Sequence, residues 1–495
     1  MKKFSRILLI TALVITLVLG GAGASFAASA PAGGSGIQVV YDGNYIVFKD
    51  AAPKIVNGRT MVPFRQILED MGTVVSYDNQ TKVVSAQKGN MSFSFKIGGS
   101  DITINDGTAT TIRKMDVVPF VDSKTNRTYV PARFMAETLG YSVGWDNINK
   151  TVVINDFEKL FANADEDFSI MNYMISTDLD LEKTYQSTGN FDLSYLIAPG
   201  ADQMAFNIAG DLDAIQYKTD ADMTMHLSIE ADDSISQLPP EEQASAQAMM
   251  DMLKDLNFKI KMDGSEGIMY MNSAMFSMTD PTITENTWIK MDMFKTYDEM
   301  GIDMRGLMKM SEEKTSIGDM LIAYANTIPV TNADSYVTAK ASYEFLKNLI
   351  GDDAFKKQVS GSSATYTLSI GSAEVGAALA KTALTQGAAM SAADIQEMVT
   401  ALDESNVDMD LVIKTKSDKL ASYTLSGGAD YEGGSFALDI AGTSYDTDMT
   451  FEFTMAEMLE MTMSMQVKME ETSKKVDLTL PADAKIVDYS TMVQY

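Results

Sequence analysis

Few side chains of this chain could carry out catalysis of a familiar kind. The chain contains one histidine, His226, and no cysteine. A zinc site of the His/Cys type needs several such ligands, and a Ser-His-Asp triad needs a histidine as its base. His226 lies in an alternating stretch, on the face opposite Met223 and Met225. We therefore expect it to be exposed to solvent, and we predict no catalytic residue, no metal site and no cofactor.

Other catalytic patterns in the sequence are weak. Ser85 and Lys88, and Ser311 and Lys314, have the spacing of a Ser–Lys pair, but two letters match by chance and no Lys-Thr-Gly accompanies them. Phosphate-binding glycine loops are absent from the sequence. With 68 acidic residues, carboxylate pairs of the glycosidase kind are possible, but nothing singles one out. We predict that the protein is not an enzyme, with a wall-glycan-acting enzyme as a minor alternative.

Methionines recur at every second position in four stretches. This spacing places each set on one face of a strand. Thioether side chains adapt to many shapes, so the sets could line a cavity for a lipid, a peptide or another apolar ligand. Plain core packing and copper(I) binding are the alternatives. The candidate cavity residues are Met223, Met225, Met269, Met271, Met291, Met293, Met461, Met463 and Met465.

A block of sixteen residues occurs twice, as NGRTMVPFRQILEDMG and, further on, as TNRTYVPARFMAETLG. In each copy a strand leads to a proline that opens a helix, and a glycine ends that helix. A hairpin with an Asp-Asn turn follows. The repeated residues are Arg59, Pro63, Arg65, Gly72 and Asp78 in the first copy and Arg127, Pro131, Arg133, Gly140 and Asp146 in the second.

Two roles are open for the repeated charges. Arg65 and Arg133 could form ion pairs with the turn aspartates Asp78 and Asp146 and orient each helix. Alternatively, the arginines could offer a basic spot to an anionic wall component or to a carboxylate of a protein partner. Either way, two strand–helix–hairpin units form a small α+β domain.

This pattern resembles the N-terminal domain of copper amine oxidases, over residues 37–155, with copies at about 37–88 and 100–155. The resemblance implies a domain that is reused in exported proteins of Gram-positive bacteria and is an appendage in the oxidases. Oxidase chemistry would need three histidines for copper and a tyrosine in an Asn-Tyr-Asp/Glu setting. Here Asn44-Tyr45 and Asn172-Tyr173 are followed by Ile46 and Met174. The sequence therefore excludes oxidase activity.

Residues 156–495 are predicted to form a second, larger and mostly β domain. Alternating stretches predict strands at 191–198, 221–232, 258–264, 267–278, 408–416, 436–442 and 461–470. Helices are predicted at 239–256, 303–327 and 372–404. The stretch GIMYMNSAMFSMTDPTITENTWIKMDM and the closing VDLTLPADAKIVDY resemble exported lipoprotein-like domains. That resemblance implies an antiparallel β half-barrel with covering helices around an apolar cavity, so the predicted fold class is α+β.

The beginning of the chain predicts export. Residues 1–27 combine basic residues, a short apolar run and small residues, as a signal peptide does, with cleavage between Ala27 and Ala28. A retained membrane anchor is the alternative. Residues 28–36 are predicted to be a flexible linker. We predict a secreted or wall-associated protein of a Gram-positive bacterium, with no transmembrane span after signal removal.

The overall charge narrows the range of partners. The formal net charge is −29, which repels nucleic acid and other polyanions. The most consistent function is a non-catalytic binding module for an apolar small molecule, a peptide, or a cell-wall or surface protein partner. A purely structural or adhesive surface protein is the main alternative.

Overall fold

The structure is a computed structural model. It describes residues 36–175, 180–197, 204–231, 240–280, 282–299, 304–306, 308, 316–327, 330–386, 391–431, 433–455 and 458–491. The expected cleavage site at Ala27 and Ala28, and the linker up to residue 35, lie outside the described residues. The described residues form two compact units, the first from 36–163 and 321–344 and the second from 164–320 and 345–491. The first unit thus extends past residue 155 and includes a segment that lies far along the chain.

The first unit contains three small sheets, with strand orders β12-β13-β1-β2, β10-β11-β4-β3 and β5-β6-β7-β8-β9. Its strands are β1 (Gln38–Tyr41), β2 (Asn44–Tyr45), β3 (Lys54–Val56), β4 (Arg59–Pro63), β5 (Val74–Asp78), β6 (Val83–Lys88), β7 (Met91–Lys96), β8 (Asp101–Asn105), β9 (Thr110–Lys114), β10 (Phe120–Asp122), β11 (Arg127–Pro131), β12 (Ser142–Asp146) and β13 (Thr151–Asn155). Its helices include α1 (Phe64–Asp70), α2 (Ala132–Thr138) and α3 (Phe157–Leu160).

The two sequence copies adopt the same order of elements, β4-α1-β5-β6 and β11-α2-β12-β13. Strands β4 and β11 pair antiparallel, with Val62 opposite Val130. Equivalent residues of the copies differ by 130 − 62 = 68 in number, so Val62 lies opposite its own equivalent. The copies are therefore related by a local two-fold axis through this strand pair.

Proline and glycine set the ends of the two repeat helices. Pro63 and Pro131 directly precede the helices, with φ of −63° and −65°, values that lead into a helix. Gly72 and Gly140 follow the helices with φ of +73° and +81°, in the left-handed region that favours glycine. The local signals in the sequence thus position both helices.

One core joins the two copies. Ile67 and Leu68 of α1 and Met135 and Ala136 of α2 are buried in the same cluster as strand residues of both repeats. The shared cluster explains why the two copies form one unit, because both helices bury their apolar residues in it.

The second unit consists of one sheet with helices. Its strands are β14 (Thr184–Ile197), β15 (Met204–Tyr217), β16 (Asp220–Ala231), β17 (Leu256–Asp263), β18 (Ile268–Ser273), β19 (Thr287–Asp292), β20 (Lys356–Ser360), β21 (Ser363–Ile370), β22 (Asp408–Lys416), β23 (Lys419–Tyr431), β24 (Gly434–Gly442), β25 (Asp446–Met455), β26 (Leu459–Thr472) and β27 (Lys485–Asp488). The helices that follow α3 are α4 (Ala164–Asp167), α5 (Ser169–Ile175), α6 (Pro240–Leu253), α7 (Phe276–Thr279), α8 (Met293–Glu299), α9 (Ile317–Thr327), α10 (Ser335–Ile350), α11 (Ser372–Gln386) and α12 (Ala392–Glu404). Helices α9 and α10 each span the boundary between the units.

The large sheet has 14 strands in the order β20-β21-β22-β23-β24-β25-β26-β14-β15-β16-β17-β18-β19-β27. Neighbouring strands are antiparallel, except that β27 pairs parallel with β19. The chain therefore has an α+β fold with a mainly antiparallel sheet. Residues directly opposite one another in such a sheet share a face, so the register identifies the residues of each face.

The register places one apolar row across ten of these strands. From β21 to β17, each residue in the row lies opposite the next. The row is Leu368, Leu411, Leu425, Ile440, Met449, Met465, Phe191, Gly210, Leu227 and Leu256. Period-2 alternation along each strand is thus matched across the sheet, and it gives the sheet an apolar face.

Candidate functional site

The centre of the apolar face combines methionine and aromatic side chains. On β26, Met461, Met463 and Met465 point to this face. Each lies between an apolar residue of β25 and one of β14. The opposing residues are Phe453, Phe451 and Met449 on β25 and Tyr195, Leu193 and Phe191 on β14. This arrangement creates a continuous surface of flexible thioethers and rigid rings.

A second group of methionines lies on the same face near the other end of the sheet. Met223 and Met271 flank Ile260, and Met269 lies opposite Met291. Met225 occupies the same face of β16, opposite Phe258.

Met293 departs from the pattern predicted from its spacing. Strand β19 ends at Asp292, and Met293 is the first residue of α8, where it is 7% exposed. The prediction that it shares a strand face with Met291 is wrong, because the strand ends before Met293 and a helix begins there.

The apolar face is buried at its flank and partly exposed at its centre. Leu411 on β22 is 2% exposed, and α5 lies over this flank, with Tyr173 stacked on Tyr366 of β21. At the centre, the side chains of β26, β14 and β25 are only partly buried, and Phe436 of the adjacent β24 is 41% exposed. The central surface is therefore partly accessible to solvent.

The opposite face of the sheet is polar. Ser464 lies opposite Asp192 on β14 and Thr450 on β25. His226 is also on this face, with its side chain 41% exposed. Its ring nitrogens lie 3.5 Å from Asp211 Oδ1 and 3.0 Å from Asp255 Oδ1. The exposed position expected for His226 agrees with this geometry, which gives the ring two carboxylate neighbours.

The repeated arginines do not pair with the turn aspartates. Arg59 contacts Asp116, and Arg127 contacts Asp50. Arg133 lies 4.0 Å from Glu137 of its own helix, and Arg65 is exposed.

The turn aspartates act locally instead. Asp78 accepts hydrogen bonds from the backbone N–H groups of Gln80 and Thr81, and Asp146 accepts them from Ile148 and Asn149. The hydrogen bonds lower the pKa of the exposed Asp78 carboxyl, first through Gln80 N–H. These aspartates therefore shape the hairpin turns, as Asx residues do.

Residues 40–154 match the family model of the copper amine oxidase N-terminal domain. The match confirms the resemblance inferred from the repeat. This domain is the non-catalytic part of the copper amine oxidases. A search of curated proteins finds no match to the chain.

The first unit contains a partly buried polar network that the sequence did not indicate. Lys88 Nζ donates to the hydroxyl oxygen of Tyr141 and, at 3.0 Å, to Asp156 Oδ2. The backbone N–H of Asp156 donates to Asp42 Oδ1 at 2.8 Å, and Lys159 Nζ donates to Asp42 Oδ2 at 3.1 Å. Two ammonium groups thus balance two carboxylates, which favours a structural role.

Burial is the largest single influence on the pKa values of the groups described next. It raises the pKa of the Asp42 carboxyl, although the Asp156 N–H and Lys159 oppose the shift. It also raises the pKa of the Tyr41 and Tyr141 phenols. For the Lys88 ammonium, burial lowers the pKa, but hydrogen bonds to Tyr141 and Asp156 outweigh burial and raise it.

Two further findings concern the sequence predictions. Within the described part of the chain, no helix combines the length and the apolar character needed to cross a membrane. The half-barrel resemblance of residues 160–490 is not confirmed by the comparisons and stays a prediction.

Proposed function

We propose that this protein is an exported, envelope-associated binding protein without catalytic activity, and that the centre of its 14-stranded sheet binds an apolar ligand. The observation that carries the proposal is the partly exposed surface of Met461, Met463 and Met465 between the aromatic and aliphatic residues of β25 and β14. Large exposed apolar surfaces mark interaction sites, and methionine adapts to ligands of varied shape. The N-terminal domain would then serve in adhesion or assembly.

A pair of adjacent substitutions tests this function. We expect the full chain to bind the uncharged dye Nile red, and Met463→Glu to weaken binding by about tenfold or more, since a carboxylate on the apolar face must be desolvated when the ligand binds. Ser464→Glu introduces the same charge one residue away on the polar face and is the matched control. Fluorescence titration measures both affinities, and native mass spectrometry of the exported protein detects a co-purifying lipid.

The same experiment addresses the alternative of a purely structural surface protein. Failure of the parent chain to take up the dye, together with no retained lipid, would favour that alternative. Equal loss of affinity in Met463→Glu and Ser464→Glu would place the binding somewhere other than the apolar face.

A further inference from the structure

The terminal strand β20 forms a basic edge in a strongly acidic protein. Lys356 and Lys357 lie in β20, and Lys414 and Lys416 lie two strands away in β22. All four are exposed, and none forms a salt bridge with another residue that the structure describes. Four uncompensated lysines beside an open sheet edge are unexpected in a chain of net charge −29.

The register gathers three of these lysines on one face. Gln358 lies opposite Thr365, which lies opposite Lys414, so Lys414 shares the face of Gln358 and Lys356. Lys416 occupies the same face, two residues beyond Lys414. A strand added beside β20 would lie about 4.8 Å from the strand of Lys356 and about 14 Å from the strand of Lys414 and Lys416. Lys356 can therefore contact the added strand, and Lys414 and Lys416 add attraction at longer range.

The other face of the edge carries Val359 and the fourth lysine, Lys357. Val359 is 66% exposed, and the Lys357 ammonium lies 5.3 Å from the centre of the Tyr366 ring. A strand added at this edge would therefore meet Lys356 on one face and, on the other, Val359 beside a lysine that lies over an aromatic ring.

The backbone of β20 can accept such a strand. Ser360 pairs with Ser363 across the two-residue loop at Gly361 and Ser362, so this pair exchanges both of its backbone hydrogen bonds. The pattern alternates along the hairpin. Lys357 and Val359 consequently direct their N–H and C=O groups away from β21, towards the open edge.

We propose that β20 binds an extended peptide of alternating acidic and apolar residues, which adds to the sheet as a further strand. Its backbone pairs with Lys357 and Val359, its carboxylates lie beside Lys356, and its apolar side chains pack beside Val359. Lysines on an edge also repel the same edge of another copy, so the charges that prevent self-pairing select a strand of opposite charge. This site is separate from the apolar centre of the sheet.

Two labelled peptides of identical composition test the site on the full chain by fluorescence anisotropy. We expect Glu-Val-Glu-Val-Glu-Val to bind, with an affinity that falls as salt increases. Glu-Glu-Glu-Val-Val-Val should bind about tenfold more weakly, because it cannot place its charges on one face. Lys356→Glu reverses an exposed charge next to the added strand, so it should weaken binding of the alternating peptide without affecting the fold.

A backbone variant separates strand addition from simple charge attraction. Val359→Pro removes an N–H that faces the open edge, so it should weaken binding about three- to tenfold, whereas Val359→Thr keeps the N–H and should not. Hydrogen exchange should slow at 357 and 359 when the alternating peptide binds. Equal affinity for the two peptides, unchanged exchange at these amides, or no binding of the alternating peptide at about 1 mM, which corresponds to roughly 4 kcal/mol, would overturn the proposal.

Discussion

Tyr41 and Tyr141 show what single residues contribute in the N-terminal domain. Their rings lie 5.8 Å apart, and the ammonium of Lys88 lies 4.5 Å from the centre of the Tyr141 ring. Burial, and then the charge of Asp42, raises the pKa of the Tyr41 phenol above its ordinary 10.0. The same two causes raise the pKa of Tyr336. The folded protein therefore holds these phenol protons more tightly than an unfolded chain would.

This retention predicts a loss of stability in alkali. Above pH 10 an unfolded chain loses phenol protons that the folded protein keeps, so unfolding releases protons and stability falls as pH rises. Because the ordinary phenol pKa is about 10, we expect the thermal midpoint to decrease as the pH is raised from about 9.5 to about 11. The decrease should be less steep in Tyr41→Phe. Tyr77→Phe, at an exposed tyrosine of the same domain, is the matched control. Equal slopes in the parent and Tyr41→Phe would contradict the explanation.

Single residues also show how far the sequence alone could predict the candidate site. The faces of Met461 and of His226 follow from period-2 alternation, a local property of a strand. Met293 could not be assigned in this way, because the end of β19 depends on tertiary packing. The buried network of Lys88 and Asp156 joins residues 68 positions apart, and no local pattern indicates such a contact.

At the scale of elements, the two repeats differ in what covers them. In the second repeat, Ala333 N–H donates to Asp146 Oδ2, and Ala333 packs with Val40 and Val153. The segment before α10 therefore completes the core of this copy. In the first copy, Ser76 and Ser85 occupy the positions equivalent to Gly144 and Val153, and both are exposed.

Gly144 is the position that permits this contact. A Cβ atom added there would lie 1.7 Å from the carbonyl oxygen of Val330. We expect Gly144→Ala to lower the free energy of unfolding by about 1–3 kcal/mol, as overpacking does, measured by urea denaturation. Ser76→Ala, at the equivalent exposed position of the first copy, should leave it within about 0.5 kcal/mol. If Gly144→Ala left the free energy of unfolding unchanged, the segment before α10 would not pack against Gly144 in solution.

The elements themselves were predicted unevenly. The repeat helices follow from Pro63 and Gly72, whose conformational limits act within one turn. The stretch 267–278 alternates throughout, yet β18 ends at Ser273 and α7 begins at Phe276. Helix α10 was not predicted. Most neighbouring strands of the large sheet are consecutive in the chain, but the pairings of β14 with β26 and of β19 with β27 join strands far apart in sequence. Local signals therefore predict the helices and strands better than they predict which strands pair with each other.

At the scale of the whole molecule, the excess of acidic residues opposes folding. The chain has 68 acidic and 39 basic residues. On the polar face of the large sheet, Asp192, Asp439 and Glu452 are exposed on three different strands. Self-repulsion of this kind weakens a compact state but keeps a protein from associating non-specifically.

Salt should therefore stabilise this protein. Screening shortens the range of repulsion to about 10 Å at 0.1 M, so we expect the thermal midpoint to rise between about 10 mM and 150 mM NaCl. The rise should be about 2–4 °C for each kcal/mol of repulsion relieved. Replacing Asp192, Asp439 and Glu452 by lysine changes the charge from −29 to −29 + 6 = −23 and should reduce the rise. Replacing them by Asn, Asn and Gln gives −29 + 3 = −26 and should have an intermediate effect. The same salt response in all three proteins would show that specific ion binding, and not net charge, controls stability.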